Sequence, residues 1–76
     1  MYGENYEALA NAIILQAVKD FQPAYRRLRR FPNDAAAERT VRGITRFFCS
    51  QEFQALSAVD GPALLHQIMR EIDEKI

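Results

Sequence analysis

Apolar side chains recur along the first third of the chain at alternating steps of four and three residues, which is the spacing of one face of an α-helix. The positions in this pattern are Ile14, Val18, Phe21, Tyr25 and Leu28. They predict a helix over residues 5 to 30. A second apolar stripe beside the first consists of Tyr6, Leu9, Ala10, Ile13 and Ala17. Because a helix with apolar residues on more than one side needs cover on more than one side, we expect other elements to pack around it.

Two prolines indicate where this first helix is bent and where it ends. Pro23 lies inside the apolar pattern, and a proline ring clashes with the preceding turn and lacks the N–H that the helix needs. We therefore expect the helix to kink near Gln22 or to split into two pieces. The sequence Phe31-Pro32-Asn33-Asp34 combines a proline stop with two residues that cap helices well. It predicts the end of the first helix and the start of the next.

The second helix is predicted from Ala35 to Phe48. The residues of its inner face are Ala37, Val41, Ile44 and Phe48. Gly43, in the middle of this helix, costs about 1 kcal/mol relative to alanine. It marks either a close helix crossing or a weak point in the helix.

A short helical turn and a last helix are predicted in the final third of the chain. Ser50 can cap a turn that carries Phe53 and Leu56 and folds back onto the two phenylalanines that end the second helix. Asp60-Gly61-Pro62 then supplies an N-cap and a proline in the first turn, which favours a helix from about Pro62 to Lys75. The broad apolar face of that helix consists of Leu64, Leu65, Ile68, Met69, Ile72 and Ile76.

No strand-like alternation or internal repeat competes with these helices, so we expect an all-α fold, a small helical bundle formed by one domain over residues 1–76. A chain of 76 residues with one cysteine is marginally stable alone, which favours a homo-oligomer. A two-fold dimer is the default because it is the commonest closed symmetry. The interface residues expected on the first helix are Leu9, Ile13, Ile14 and Val18.

The formal net charge of zero hides a strong separation of charge along the chain. Residues 25 to 46 hold seven arginines against Asp34 and Glu38, whereas the segments before and after them are both net acidic. This block contains no lysine, and arginine is suited to planar, bidentate recognition of phosphate or carboxylate. A binding site for an anionic ligand is therefore predicted at Arg26, Arg30, Arg39, Arg42 and Arg46.

Two other interpretations of these arginines stay open. Arginines on an outer helix face can be solvated, with some of them paired to Glu38 or to the acidic last helix, and exposed pairs of this kind contribute little. The arginines can also contact nucleic acid without sequence preference. A helix-turn-helix is disfavoured because Gln51, Glu52 and Gln54, which follow the turn, offer no basic side chain to the phosphates.

The chain offers little chemistry for catalysis. His66 is the only histidine and Cys49 the only cysteine, and neither stands beside a glycine-rich oxyanion turn. One histidine and one cysteine do not make a zinc site, and three glycines form no phosphate loop. We therefore expect a protein that is not an enzyme and has no metal or cofactor. The lone cysteine, and the lack of a long apolar run or a secretory leader, favour the cytoplasm.

The segment Phe-Phe-Cys-Ser-Gln-Glu-Phe at residues 47 to 53 is followed by Leu56, by Asp60-Gly61 and by Leu64-Leu65. Together with Tyr-Arg-Arg-Leu-Arg-Arg at residues 25 to 30, this pattern resembles a group of small helical proteins from prophages and integrative elements of Gram-positive bacteria. The resemblance covers roughly residues 13 to 72 and implies a mobile-element origin. It carries no established activity.

A small mobile-element protein without catalytic equipment is expected to act by binding. One hypothesis is a counter-defence protein that sequesters an anionic nucleotide, such as a cyclic-nucleotide immune signal, through the arginines of a homo-oligomer. Such a protein is similar to the phage sponge proteins that counter bacterial defence. The alternatives are a module that blocks a host protein by covering it and, with less support, a small nucleic-acid-binding regulator.

Overall fold

Four helices make up the fold. The computed structural model describes the backbone of residues 2–75 and the side chains of residues 8–75. The helices are α1 (Tyr2–Arg30), α2 (Ala35–Phe48), α3 (Gln51–Leu56) and α4 (Gly61–Lys75). No strand occurs over that part of the chain, which confirms the all-α fold class. The expectations for the side chains of Tyr6 and Ile76 lie outside the described residues.

The first helix is longer than predicted and runs through its proline without interruption. It begins at Tyr2 rather than at residue 5, and the alternative of two separate pieces is wrong. Pro23 and Lys19 are both exposed, so water can satisfy the carbonyl group that the missing proline N–H leaves free. Although α1 is long, no helix within residues 2–75 is both long enough and apolar enough to cross a membrane.

A tight connection reverses the chain between α1 and α2. The N–H of Phe31 donates to the carbonyl of Arg27 at 2.7 Å and closes the last turn of α1. Asp34 caps α2, because its carboxylate accepts a hydrogen bond from the N–H of Ala37 at 3.0 Å. The second helix occupies Ala35–Phe48, as its pattern predicted. The two helices consequently lie antiparallel.

An aromatic cluster joins α2 to the short helix α3. The hydroxyl of Ser50 accepts from the N–H of Phe53 at 3.2 Å and donates to the carbonyl of Phe47 at 2.6 Å. This cap turns the chain so that the ring of Phe53 meets the ring of Phe48 edge to face, with 5.0 Å between centroids. The predicted return of this turn onto the end of α2 is therefore confirmed.

The last helix closes the core. It begins at Gly61, one residue earlier than predicted, and Asp60 caps it by accepting from the N–H of Ala63 at 3.2 Å. The residues that form the buried core are Phe21, Phe48, Phe53, Leu65, Ile68 and Ile72. No polar or charged residue of the described part is buried, so apolar packing holds this bundle together.

Candidate functional site

A surface depression lies between α1 and α2. It consists of two cavities, of about 880 Å³ and about 390 Å³, that share Asp20, Gly43 and Ile44 and therefore form one continuous feature. We call this feature the α1–α2 groove. The larger cavity is its polar end, near the connection between the helices. The smaller cavity is its apolar end, on the side of the N-terminal half of α1.

The polar end contains charges of both signs. Arg27 donates to the carboxylate of Asp34, and both line the cavity together with Arg39. Hydrogen bonds from the N–H of Ala37 and then from Arg27 hold the pKa of Asp34 below its ordinary value. Asp20 accepts a hydrogen bond from Gln16 at 3.0 Å. Of the two arginines that line this cavity, Arg27 is paired with Asp34, whereas Arg39 pairs with no carboxylate among the described side chains.

The apolar end is lined mostly by aliphatic and aromatic side chains, together with Gln16 and Asp20 of α1. Ile13 and Ala17 line it from α1, and Ile44 and Phe47 line it from α2. Gly43 stands between the two ends, and a Cβ built there would meet no heavy atom within 4 Å. A close helix crossing at Gly43 within one chain is therefore excluded. The glycine leaves open space in the groove.

The five arginines predicted to form one site are divided between two helices. Arg26 and Arg30 are exposed on α1, on the side away from the buried Phe21. On α2, three arginines at spacings of three and four share the outer face of the helix. We call this set, Arg39, Arg42 and Arg46, the α2 arginine face. None of the three described cavities is lined by more than two arginines, so the structure brings no five-arginine pocket together.

Some of the arginines form the ion pairs that the sequence left open as an alternative. Arg42 donates to Glu38 one turn earlier on α2, and both side chains are exposed. Arg29 pairs with Asp73 of the last helix, with 3.1 Å between Nε and Oδ1. The predicted site arginines without an ion pair to any described side chain are Arg26, Arg30, Arg39 and Arg46.

A polar contact fastens the end of α4 to α1. The hydroxyl of Tyr25 lies 3.1 Å and 3.2 Å from the two carboxylate oxygens of Asp73, and the ring of Tyr25 stacks on Phe21 with centroids 5.4 Å apart. Burial of the tyrosine raises its pKa, and the hydrogen bond and charge of Asp73 raise the pKa further, while Arg29 opposes the shift. Asp73 pairs with Arg29 and accepts from the hydroxyl of Tyr25, so these groups satisfy one another and hold α4 against α1.

The four residues expected at an oligomer interface do not share one environment. Leu9 and Ile13 are exposed on α1. Ile14 and Val18 are half-buried and pack against the core of their own chain. The exposed apolar surface of α1 also includes Leu15, which the interface prediction did not contain.

The two residues considered for nucleophilic chemistry are both on the surface. Cys49 and His66 are exposed, and neither lines any of the three described cavities. Among the residues that the structure describes, no group of three or more metal-ligating side chains comes together. We take the α2 arginine face and the groove beside it as the candidate site.

The groove itself was missed at the sequence level, although a signal for it exists. Its α1 side uses Ile13, Ala17, Asp20, Ala24 and Arg27, which alternate steps of four and three. This spacing places them on one face of α1, beside the stripe that packs into the core. The chain was compared with protein-family models, with curated proteins and with solved structures, and no match was found in any of the three.

Proposed function

We propose that this chain is a non-enzymatic binding protein that recognises a phosphate-bearing small molecule with its α2 arginine face. The observation that carries the proposal is the state of Arg39 and Arg46. Both are exposed, both lie on one side of α2, and neither pairs with a carboxylate among the described side chains. Positions seven residues apart lie about 10 Å apart along the helix axis, so the two flexible side chains can reach two phosphates of one ligand.

Arg42 lies between these two arginines and can join them. Among the described side chains it pairs with Glu38, and both members of this pair are exposed. An exposed pair contributes at most about 1 kcal/mol, so exchange of Glu38 for a phosphate costs little. Arg42 can therefore leave Glu38 and bind the ligand as a third arginine.

The groove beside Arg39 favours a ligand larger than a free phosphate. Arg39 lines the polar end of the α1–α2 groove next to Thr40 and Gly43. Its volume of about 880 Å³ lies within the range of small-molecule sites, which join apolar walls to a few placed polar groups. A nucleotide fits this combination, with phosphates on the arginines and the flat base in the groove. The mobile-element resemblance makes a cyclic nucleotide of bacterial immune signalling the first ligand to test, in keeping with a counter-defence role in the host cytoplasm.

The test is a calorimetric titration of the purified protein with cyclic dinucleotides, linear dinucleotides, cyclic mononucleotides and inorganic phosphate. We expect one nucleotide class to bind and phosphate alone to bind far more weakly. Arg39→Ala and Arg46→Ala should each weaken binding about ten- to hundredfold, which is the range of one charge-assisted hydrogen bond. Arg70→Ala is the matched control, since Arg70 is an exposed arginine of α4 outside this face. Absence of binding, or binding that Arg39→Ala and Arg46→Ala leave unchanged, would overturn the proposal.

The two alternative functions give different results in the same series. A single-stranded oligonucleotide whose affinity falls steeply with salt, and which competes with no nucleotide, would favour the nucleic-acid regulator. A module that blocks a host protein is favoured by the exposed leucines of α1, Leu9 and Leu15. Its signature is a host protein captured by the wild-type chain and by Arg39→Ala, but not by Leu15→Glu.

A further inference from the structure

The N-terminal half of α1 carries an exposed helical surface without charge. Residues 8–18 contain no aspartate, glutamate, lysine or arginine. Leu9 is 61% exposed and Ile13 is 41% exposed. Helix surfaces that face water normally carry polar and charged side chains, and contiguous exposed apolar surface marks an interaction site. This surface therefore lacks a partner among the side chains of residues 8–75.

The area that the chain exposes is large enough for a stable interface. Its accessible surface is 5815 Å², whereas a folded monomer of this mass exposes about 4,700 Å². The excess is about 1,100 Å² over the whole chain, which leaves room for the roughly 800 Å² that each partner buries in an interface of standard size. The radius of gyration, 13.4 Å, is likewise larger than the about 11 Å expected for this length. Both differences have the sign that an isolated subunit of a dimer would show.

The exposed leucine and isoleucine are continuous with a surface that can receive them. Ile13 is itself part of the apolar end of the groove, opposite Ile44 and Phe47. Next to them, Gly43 leaves open space where another helix can approach closely. One face of the molecule thus carries both projecting apolar side chains and an apolar recess. A surface of this kind is self-complementary, which is the requirement for a two-fold symmetric pair.

We propose that a second copy of this chain covers the apolar end of the α1–α2 groove, with Leu9 and Ile13 of each copy packed against the groove of the other. The formal net charge is zero, so two copies approach each other without net repulsion. The inference rests on apolar surface, area and open space. It does not depend on whether the arginines bind a nucleotide.

The position of the pair leaves the α2 arginine face open. Arg42 and Arg46 line neither end of the groove, and Arg39 lines its polar end only. Two copies joined at the apolar ends therefore carry two arginine faces on one particle.

The experiment is sedimentation velocity of the full chain over a range of concentrations, with four variants. The wild type should sediment as a particle of twice 8.7 kDa. Leu9→Glu and Ile13→Glu should raise the dimer dissociation constant at least about 30-fold, as expected for residues central to an interface. Leu15→Glu is the matched control. Leu15 is 58% exposed on the same helix but lies about 160° around the axis from Ile13, so its dissociation constant should not change.

Gly43→Gln is the fourth variant and keeps the test valid if a glutamate on α1 prevents folding. Glutamine has a better helix propensity than glycine and places bulk in the open space of the groove. It should give a monomer whose circular dichroism spectrum matches that of the wild type. A wild type that stays monomeric into the millimolar range overturns the inference. So does a dimer that only Leu15→Glu dissociates, or a monomer whose groove binds a different protein. A dimer that binds no nucleotide would count against the proposed function alone.

Discussion

The main chain of Gly61 lies directly against the carbonyl group of Phe48. A Cβ at position 61 would stand 2.0 Å from the Phe48 carbonyl oxygen and 3.0 Å from a ring carbon of Phe53. This contact joins the start of α4 to the end of α2, and only glycine permits it. Gly43, in contrast, has open space where its side chain would be. Gly43 and Gly61 therefore have opposite roles in the bundle.

Alanine substitution should separate these two roles by sign. Gly61→Ala should lower the free energy of unfolding by about 1–3 kcal/mol or more, because the new methyl group collides with main chain that cannot rotate away. Gly43→Ala should raise it by about 1 kcal/mol, since the helix gains propensity at no steric cost. Urea unfolding of both variants, at a protein concentration low enough to exclude dimers, measures the two changes. Changes of the same sign would contradict the packing described at these positions.

The aromatic cluster should dominate the stability of the fold. Phe53 is fully buried between α2 and α4, so Phe53→Ala should lower the free energy of unfolding by about 3–5 kcal/mol through lost packing and the cavity it leaves. Phe31 is 53% exposed, and the guanidinium carbon of Arg27 lies 5.4 Å from the centroid of its ring. Phe31→Ala should therefore change stability by no more than about 0.5 kcal/mol. Similar losses for the two variants in urea unfolding would refute the assignment of the core.

Asp34 should make the stability of the bundle depend on pH in the acid range. Its pKa is lower in the folded chain than the ordinary value of 3.8, because the N–H of Ala37 and the Arg27 guanidinium stabilise its charged form. The contribution is thus complete above 3.8 and is lost as the pH falls through the lower folded-state pKa. Melting midpoints measured from neutral to strongly acid pH should fall more steeply for the wild type than for Asp34→Asn. Arg27→Gln, which keeps the helix cap, should give an intermediate slope. Parallel curves for the three proteins would contradict this account.

Tyr25 should have the opposite effect at alkaline pH. Burial and the neighbouring Asp73 raise its pKa above 10.0, so the folded chain holds the phenolic proton more tightly than the unfolded chain does. The stabilisation is complete below 10.0 and is lost as the pH rises through the raised folded-state pKa. Tyr25→Phe should therefore show a smaller loss of stability in alkali. Ultraviolet titrations of the wild type and of Asp73→Asn should differ in one tyrosine, which ionises at lower pH in the variant. An unchanged titration would show that the contact does not persist in solution.

Local signals in the sequence were sufficient for most of the fold. The helix caps were recognisable because Asp34, Ser50 and Asp60 each stand directly before a helix. In the structure, the side chain of each accepts a hydrogen bond from a free N–H group in the first turn of that helix. The return of Phe53 onto the end of α2 followed from the short spacing between them. Pro23 was misjudged in part. Its place on the exposed face lets water replace the missing hydrogen bond, and the helix runs on through it.

The candidate site was less accessible from sequence, for a physical reason. Helical periodicity shows which residues share a face of one helix, but the angle at which two helices pack decides whether two faces meet. Arg26 and Arg39 belong to one basic block of the sequence, yet each lies on the outer side of a different helix. The same reasoning placed Ile14 and Val18 at an interface, and the structure shows both side chains half-buried against the core of their own chain. The groove depends on that packing angle as well.

The central claim is that the α2 arginine face holds an intact phosphate-bearing ligand, and native mass spectrometry with the panel of nucleotides tests it most directly. The measurement reads the mass of the particle and the mass of anything bound to it at once. We expect the wild type to gain the unaltered mass of one class of nucleotide and to release it unmodified on denaturation. Arg39→Ala and Arg46→Ala should lose this gain while Arg70→Ala keeps it. A wild-type protein that gains no mass from any nucleotide in the panel would contradict the account.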